Sequence, residues 1–268
     1  MDSAMARQRF TSILITGASS GIGAALARHY AAPGVTLSLT GRNEARLATI
    51  ANACRGAGAM VRTALLDVAD EAGMAAQLVE WDAAQPFDLV VANAGVGGTG
   101  SVPPGGGWDE SLRAMTVTNV LGTVNTVTPL LPRLLARRSG QIAVLGSLAG
   151  FTGLPRAPAY GASKGWVRLY GEGLRGAVAS QGVGVSVICP GFVATPLIAD
   201  ADYPTPFRMS EEQAVRRIVR GLAANRGRIA FPWPMRVLVW MVCLLPYPLA
   251  EASVRLLSRM PAGARAAR

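Results

Sequence analysis

The sequence predicts an α/β fold, a doubly wound parallel sheet in one domain with an apolar C-terminal extension, and three observations predict it. Short apolar runs alternate with stretches of helical spacing along most of the 268 residues. The runs are apolar at successive positions, as strands covered on both faces require. A glycine-rich turn follows the first run, where a strand would give way to a helix.

The apolar runs are Phe10–Thr16, Val35–Thr40, Met60–Leu66, Phe87–Asn93, Gln141–Ser147 and Val183–Pro190, bounded by Gly, Asn or Asp, and each is short enough for a buried strand. Between them lie the helical stretches Gly21–Ala32, Glu44–Ala57, Glu71–Ala84, Trp108–Arg137 and Ala159–Ser180. Strict alternation implies right-handed crossovers and six parallel strands, a Rossmann-type arrangement. A helix at Glu211–Asn225 and a short strand at Arg228–Phe231 close a dinucleotide-binding domain over residues 10–231, and residues 232–268 form the extension. Gly97–Gly107 is a glycine-rich loop expected to top the fourth strand.

Composition narrows the chemistry. Half of the residues are apolar, enough for a large core. Cys54, Cys189 and Cys243 lack paired spacing, which suits neither a disulfide framework nor a thiolate metal site. His29 is the one histidine, so a multi-histidine zinc site is excluded and no metal is expected. The N-terminal stretch has no apolar run of signal-peptide length, so a cytoplasmic location is expected. The formal charge of +10 comes from arginines spread along the chain, which points to a solvated basic surface and not to a nucleic-acid partner.

After the first strand the chain reads Thr16-Gly17-Ala18-Ser19-Ser20-Gly21-Ile22-Gly23, then AALARHY. Gly17 allows a tight turn, Gly21 lets the backbone approach a pyrophosphate, and Gly23 lets the helix pack closely on the sheet. The helix N-terminus adds free N–H groups and a positive dipole end. Ser19, Ser20 and Ile22 lie within the same cofactor-binding turn. At the end of the second strand, where NAD binding favours a carboxylate, stands Leu39-Thr40-Gly41-Arg42-Asn43. The Arg42 guanidinium suits a 2′-phosphate, so NADP(H) is favoured over NAD(H).

Tyr160 and Lys164 are four residues apart in a helical stretch, so their side chains share a face. A tyrosine with pKa of about 10 is a poor base at neutral pH, but a neighbouring ammonium stabilises its phenolate. Ser147 ends the fifth strand, on the carboxyl edge where open sheets bind ligands. Lys164 is also the one lysine among 26 basic residues. In a chain that uses arginine for every other cation, this points to a site suited to a compact ammonium and not to the guanidinium fork, with chance as the alternative.

These residues together resemble the short-chain dehydrogenase/reductase family, from about Thr11 to Thr195. The resemblance implies an adenine contact at Asp67 and Val68, and the Asn93-Ala94-Gly95 turn beside the cofactor. It further implies the catalytic residues Asn119, Ser147, Tyr160 and Lys164, with Tyr160 and Lys164 also touching cofactor, then Pro190 and Gly191 leading through Val193 to Thr195 at the nicotinamide carboxamide. It implies hydride exchange between a nicotinamide cofactor and a carbonyl or alcohol carbon. Tyr160 would donate the proton, Ser147 would orient the oxygen, Lys164 would hold the ribose and lower the tyrosine pKa, and Asn119 would support a proton-carrying water. A non-catalytic NADP(H)-binding sensor or scaffold is the alternative, one that would be expected to lack part of this tetrad.

The segments expected over the substrate, Leu148–Ala159 and Phe192–Met209, carry Leu148, Phe151, Leu154, Phe192, Leu197, Phe207 and Met209 with few charges, which favours a hydrophobic ketone or alcohol. A homodimer or homotetramer is expected. In the extension, Val237–Ala250 is uncharged for fourteen residues, too short for a membrane span and interrupted by Pro246 and Pro248. Three fates are open to 232–260: packing on the body, a subunit contact, or a peripheral contact with the inner face of a membrane, Trp233, Trp240 and Tyr247 at headgroup level and Arg236, Arg255 and Arg259 on anionic lipid.

Overall fold

The doubly wound sheet is present, with one strand more than the six long runs. The computed structural model describes residues 10–97, 108–199 and 204–259. The strands are β1 (Ser12–Ile15), β2 (Thr36–Gly41), β3 (Met60–Leu65), β4 (Leu89–Ala92), β5 (Gln141–Leu145), β6 (Gly184–Pro190) and β7 (Arg228–Phe231). All pairings are parallel, in the order β3-β2-β1-β4-β5-β6-β7. The short run at Arg228–Phe231 is the seventh strand, paired with β6.

The helices are α1 (Gly21–Tyr30), α2 (Glu44–Gly56), α3 (Glu71–Ala84), α4 (Trp108–Met115), α5 (Gly122–Val127), α6 (Leu131–Arg137), α7 (Pro158–Val178), α8 (Glu211–Ala223), α9 (Trp233–Leu244) and α10 (Tyr247–Arg259). One core cluster packs α1, α2 and α8 against one sheet face through Leu26, Leu47, Ile50 and Ile218. The second packs α3, α5, α6 and α7 on the other through Leu78, Trp81, Val127, Leu134 and Val167.

The expected single helix over Trp108–Arg137 is corrected. It divides into α4, a π-helical segment Thr116–Leu121, α5 and α6. Pro129 and Pro132 cause the second break, since neither has an N–H to donate to the preceding turn; Pro132 sits in the first turn of α6, where that loss is harmless. Most of the glycine-rich loop, residues 98–107, lies outside the described residues, as do 1–9, 200–203 and 260–268.

The strand order reverses between β1 and β4, so the helices leaving these two strands diverge and open a crevice at their carboxyl ends. At the far edge, α9 and α10 form a helical hairpin after β7. Met235 and Val239 pack against the core, and Val242 and Val254 are buried. No helix among the described residues is long and apolar enough to cross a membrane.

Candidate active site

The crevice at the switch point is a cavity of about 500 Å³ lined by Gly17, Ser19, Ser20, Gly21, Ile22, Gly41, Arg42, Asn43, Arg46, Leu66, Asp67, Val68, Asn93, Ala94, Gly95, Thr118, Leu145, Thr195, Pro196 and Leu197. The expected cofactor positions from the first turn except Gly23, those at the ends of β2, β3 and β4, and Thr195 therefore line one cleft. Pro190, Gly191 and Val193 are not among its lining. Gly191 donates its N–H to the Phe231 carbonyl at 2.7 Å, and buried Val193 bridges Met209.

The glycines are demanded by approach distances. Gly17 has φ +66, and a Cβ there would lie 2.7 Å from the Ala94 Cα. A Cβ at Gly23 would overlap Asn93 Nδ2 and come 2.5 Å from the Gly17 carbonyl oxygen. Asn93 is the strut between the two strands: its Nδ2 donates to the Thr16 carbonyl at 2.8 Å and to that of Gly17 at 3.2 Å. The Thr16 hydroxyl accepts from the N–H groups of Asn93 and Ala94 at 3.1 and 3.2 Å. The turn is thus held open by side chains beneath it, leaving a backbone-walled cradle above that suits a pyrophosphate. These residues fit a dinucleotide.

At one end of the cleft Arg42 Nη1 lies 3.5 Å from Asp67 Oδ2, both side chains solvent-accessible. Arg46 adds a second guanidinium to the lining. Sequence reasoning passed over Arg46, although its four-residue spacing from Arg42 was readable. Val68 is fixed from behind by Asn125, whose Nδ2 donates to the Val68 carbonyl at 2.8 Å.

At the other end lies the buried polar group. Lys164 Nζ donates to the Leu145 carbonyl at 2.8 Å, and a Cβ on Gly95 would lie 3.3 Å from it, so the ammonium sits just behind two cleft-lining residues. Burial lowers its pKa to about 8. Tyr160 stands one turn earlier on α7, its ring centroid 5.8 Å from Nζ. Asn119 lies in the π-helical segment, an irregularity often found at functional positions. Its Oδ1 accepts from the Val96 N–H at 2.8 Å, while its Nδ2 donates to the Val96 carbonyl and the Ser163 hydroxyl, both at 3.0 Å. Ser163, missed in the sequence, in turn donates to the Tyr160 carbonyl at 2.9 Å.

Ser147 reaches this corner from β5. Its hydroxyl donates to the Pro190 carbonyl at 3.3 Å and accepts from the Ala149 N–H at 3.1 Å, starting a tight turn over Leu148–Gly150. That turn rests directly on α7, because a Cβ at Gly150 would lie 2.5 Å from the Lys164 carbonyl carbon. Backbone contact therefore sets the Ser147 strand end against the Tyr160 and Lys164 helix.

The expected substrate-side residues divide. Leu148 and Met209 are buried in the core and Phe151 is clamped between Arg168 and Arg228, 4.5 and 5.2 Å from its ring centroid. Leu197 lines the cleft and is exposed, whereas Phe207 is exposed but not among the cleft lining. Among the described residues no group of three or more His, Cys, Asp or Glu could hold a metal ion.

The short chain dehydrogenase family profile matches residues 11–204. An uncharacterized oxidoreductase of Myxococcus xanthus is 37% identical over 94% of this chain and 99% of its own length. A ketoacyl reductase of Nostoc sp. is 31% identical, covering 72% of this chain and 68% of its own. Among solved structures, a short-chain dehydrogenase from Sphingobium yanoikuyae in complex with NADPH superposes with a TM-score of 0.76 at 26% identity, covering 96% of this chain and 98% of that one. The chain belongs to the short-chain dehydrogenase family of oxidoreductases.

Proposed function

We propose that the chain is an NADP(H)-dependent oxidoreductase that interconverts a carbonyl and an alcohol on a hydrophobic substrate. The observation that carries this reading is the corner where buried Lys164, with Tyr160 one turn before it, lies against the turn that Ser147 starts and just behind Leu145 and Gly95 of the cleft wall. The similar Sphingobium yanoikuyae enzyme is described with NADPH, and the Nostoc relative as a ketoacyl reductase, which agrees with this chemistry.

When bound, the nicotinamide supplies or accepts the hydride at the substrate carbon. In the reductive direction Tyr160 gives its proton to the carbonyl oxygen and Ser147 hydrogen-bonds that oxygen, orienting the carbon. The Lys164 ammonium stabilises the phenolate left on Tyr160 and holds the ribose. Asn119, tied to Val96 and to Ser163, fixes the geometry behind the lysine. Arg42 and Arg46 supply the positive charge for a 2′-phosphate, opposed in this cleft by Asp67. The exposed Leu197 and Phe207 favour an apolar substrate.

The test is turnover of purified protein with NADPH, and separately with NADH, against ketones of graded chain length, followed by loss of the reduced nicotinamide. The reading expects oxidation of NADPH that rises with the apolar size of the ketone. A folded protein that binds NADPH and turns over no ketone or alcohol would support the sensor or scaffold reading instead.

A further inference from the structure

The C-terminal hairpin carries an apolar face that the catalytic reading leaves unused. On α9, Met235 and Val239 face the body, while Trp233, Trp240, Met241 and Leu244 lie at helical spacing on the opposite side and are exposed, Trp240 by 61% and Leu244 by 67%. Tyr247, at the turn into α10, is 77% exposed. A contiguous apolar surface of this kind marks a binding face in most soluble proteins.

Charge decides what covers it. Residues 232–268 hold five arginines against one glutamate, and that glutamate, Glu251, is engaged by Arg255 at 3.4 Å. Among the described residues of the hairpin, the exposed guanidinium of Arg236 has no acidic residue on α9 to offset it, so a second copy meeting this face through a two-fold contact would bring two such charges together, which is unfavourable. A bilayer with anionic headgroups satisfies both features, taking the apolar side chains into the headgroup boundary and the arginines against phosphate, with tryptophan and tyrosine at the level they prefer. At about 1.5 Å per residue, α9 is roughly 18 Å long and short of the about 30 Å hydrocarbon core, so it lies along the surface.

We propose that the α9–α10 hairpin docks this chain on the surface of an anionic lipid bilayer. The hairpin also touches the segment joining Ser147 to Tyr160: Cys243 Sγ donates to the Phe151 carbonyl and Arg156 Nη1 to the Ser258 carbonyl, each at 3.4 Å. Docking would place that segment one helix layer from the lipid, where an apolar ketone partitions. That delivery role rests on the function proposed above; the docking does not.

Flotation of the full-length protein with phosphatidylcholine vesicles containing phosphatidylglycerol tests it, beside pure phosphatidylcholine vesicles. Wild type floats with the anionic vesicles and less at high salt, and Trp240→Glu with Leu244→Glu lowers the floating fraction at least about tenfold at unchanged circular dichroism and thermal midpoint. Wild type that stays at the bottom overturns the proposal, as does equal flotation of the double variant. Loss of a dimer in that variant, without flotation of the wild type, assigns the face to a second copy. With docking intact, equal turnover of a vesicle-dissolved ketone by wild type and variant removes the delivery role alone.

Discussion

Two cations stand at opposite ends of one cleft and are built in opposite ways. Lys164 is 4% exposed and bonded to a main-chain carbonyl, while the Arg42 side chain is 61% exposed and faces a carboxylate across 3.5 Å. The difference teaches which group belongs to the chemistry. A buried ammonium acts at short range in low dielectric on whatever lies beside it, whereas an exposed guanidinium is screened by water and discriminates between ligands by modest amounts. The buried end is also closely packed, since main-chain contact at Gly150 sets α7 against the Ser147 turn.

The largest effect is expected at the buried end. Tyr160→Phe removes the proposed general acid while keeping the ring, so turnover should fall by roughly 10²-fold to 10⁴-fold with NADPH affinity unchanged. Steady-state kinetics with a fluorescence titration of the cofactor checks this. Near-normal turnover would detach the chemistry from this corner.

The second effect concerns pH. Burial holds Lys164 at about 8 in the folded chain, below its ordinary 10.5. Between those values the unfolded chain binds a proton on this lysine that the folded chain lacks, so its contribution to stability rises with pH through that window; below about 8 both states are protonated and the burial penalty is complete. The stability of cofactor-free wild type relative to Lys164→Met should therefore rise between pH 8 and 10.5 by on the order of 3 kcal/mol. Urea unfolding of both proteins at the two ends of the window measures it. A difference that stays flat with pH would mean that water reaches the ammonium.

The smallest effect belongs to the exposed end. Arg42→Ala should weaken NADPH by about 1 kcal/mol, less than a buried charge-assisted bond is worth, and leave NADH nearly unchanged. Adding Arg46→Ala should extend the loss on NADPH alone. Calorimetric titration of the two cofactors decides, and equal losses for both would make these arginines structural.

The same contrast explains what was legible. The glycine turn, Arg42, Ser147, Tyr160 and Lys164 sit at strand ends or at helical spacing, so alternation and periodicity point to one edge of the sheet, while Asn93 followed from the family resemblance. The setting of Asn119 was illegible because its side chain bonds to Val96 and Ser163, which are remote in sequence. Leu148, Phe151 and Met209 looked like substrate wall because apolar residues in a lid and in a core read alike. Only the neighbours Arg168 and Arg228 show that Phe151 is clamped.

The central claim is that hydride and proton reach a carbonyl at the Tyr160–Lys164 corner. Its most direct measurement is deuterium transfer from NADPH deuterated at the nicotinamide C4, with mass spectrometry of the alcohol formed from an apolar ketone. The account predicts one deuterium on the carbinol carbon with wild type and almost none with Tyr160→Phe over the same time. Alcohol formed without deuterium from either face of the labelled cofactor, or labelled equally by the variant, would contradict it.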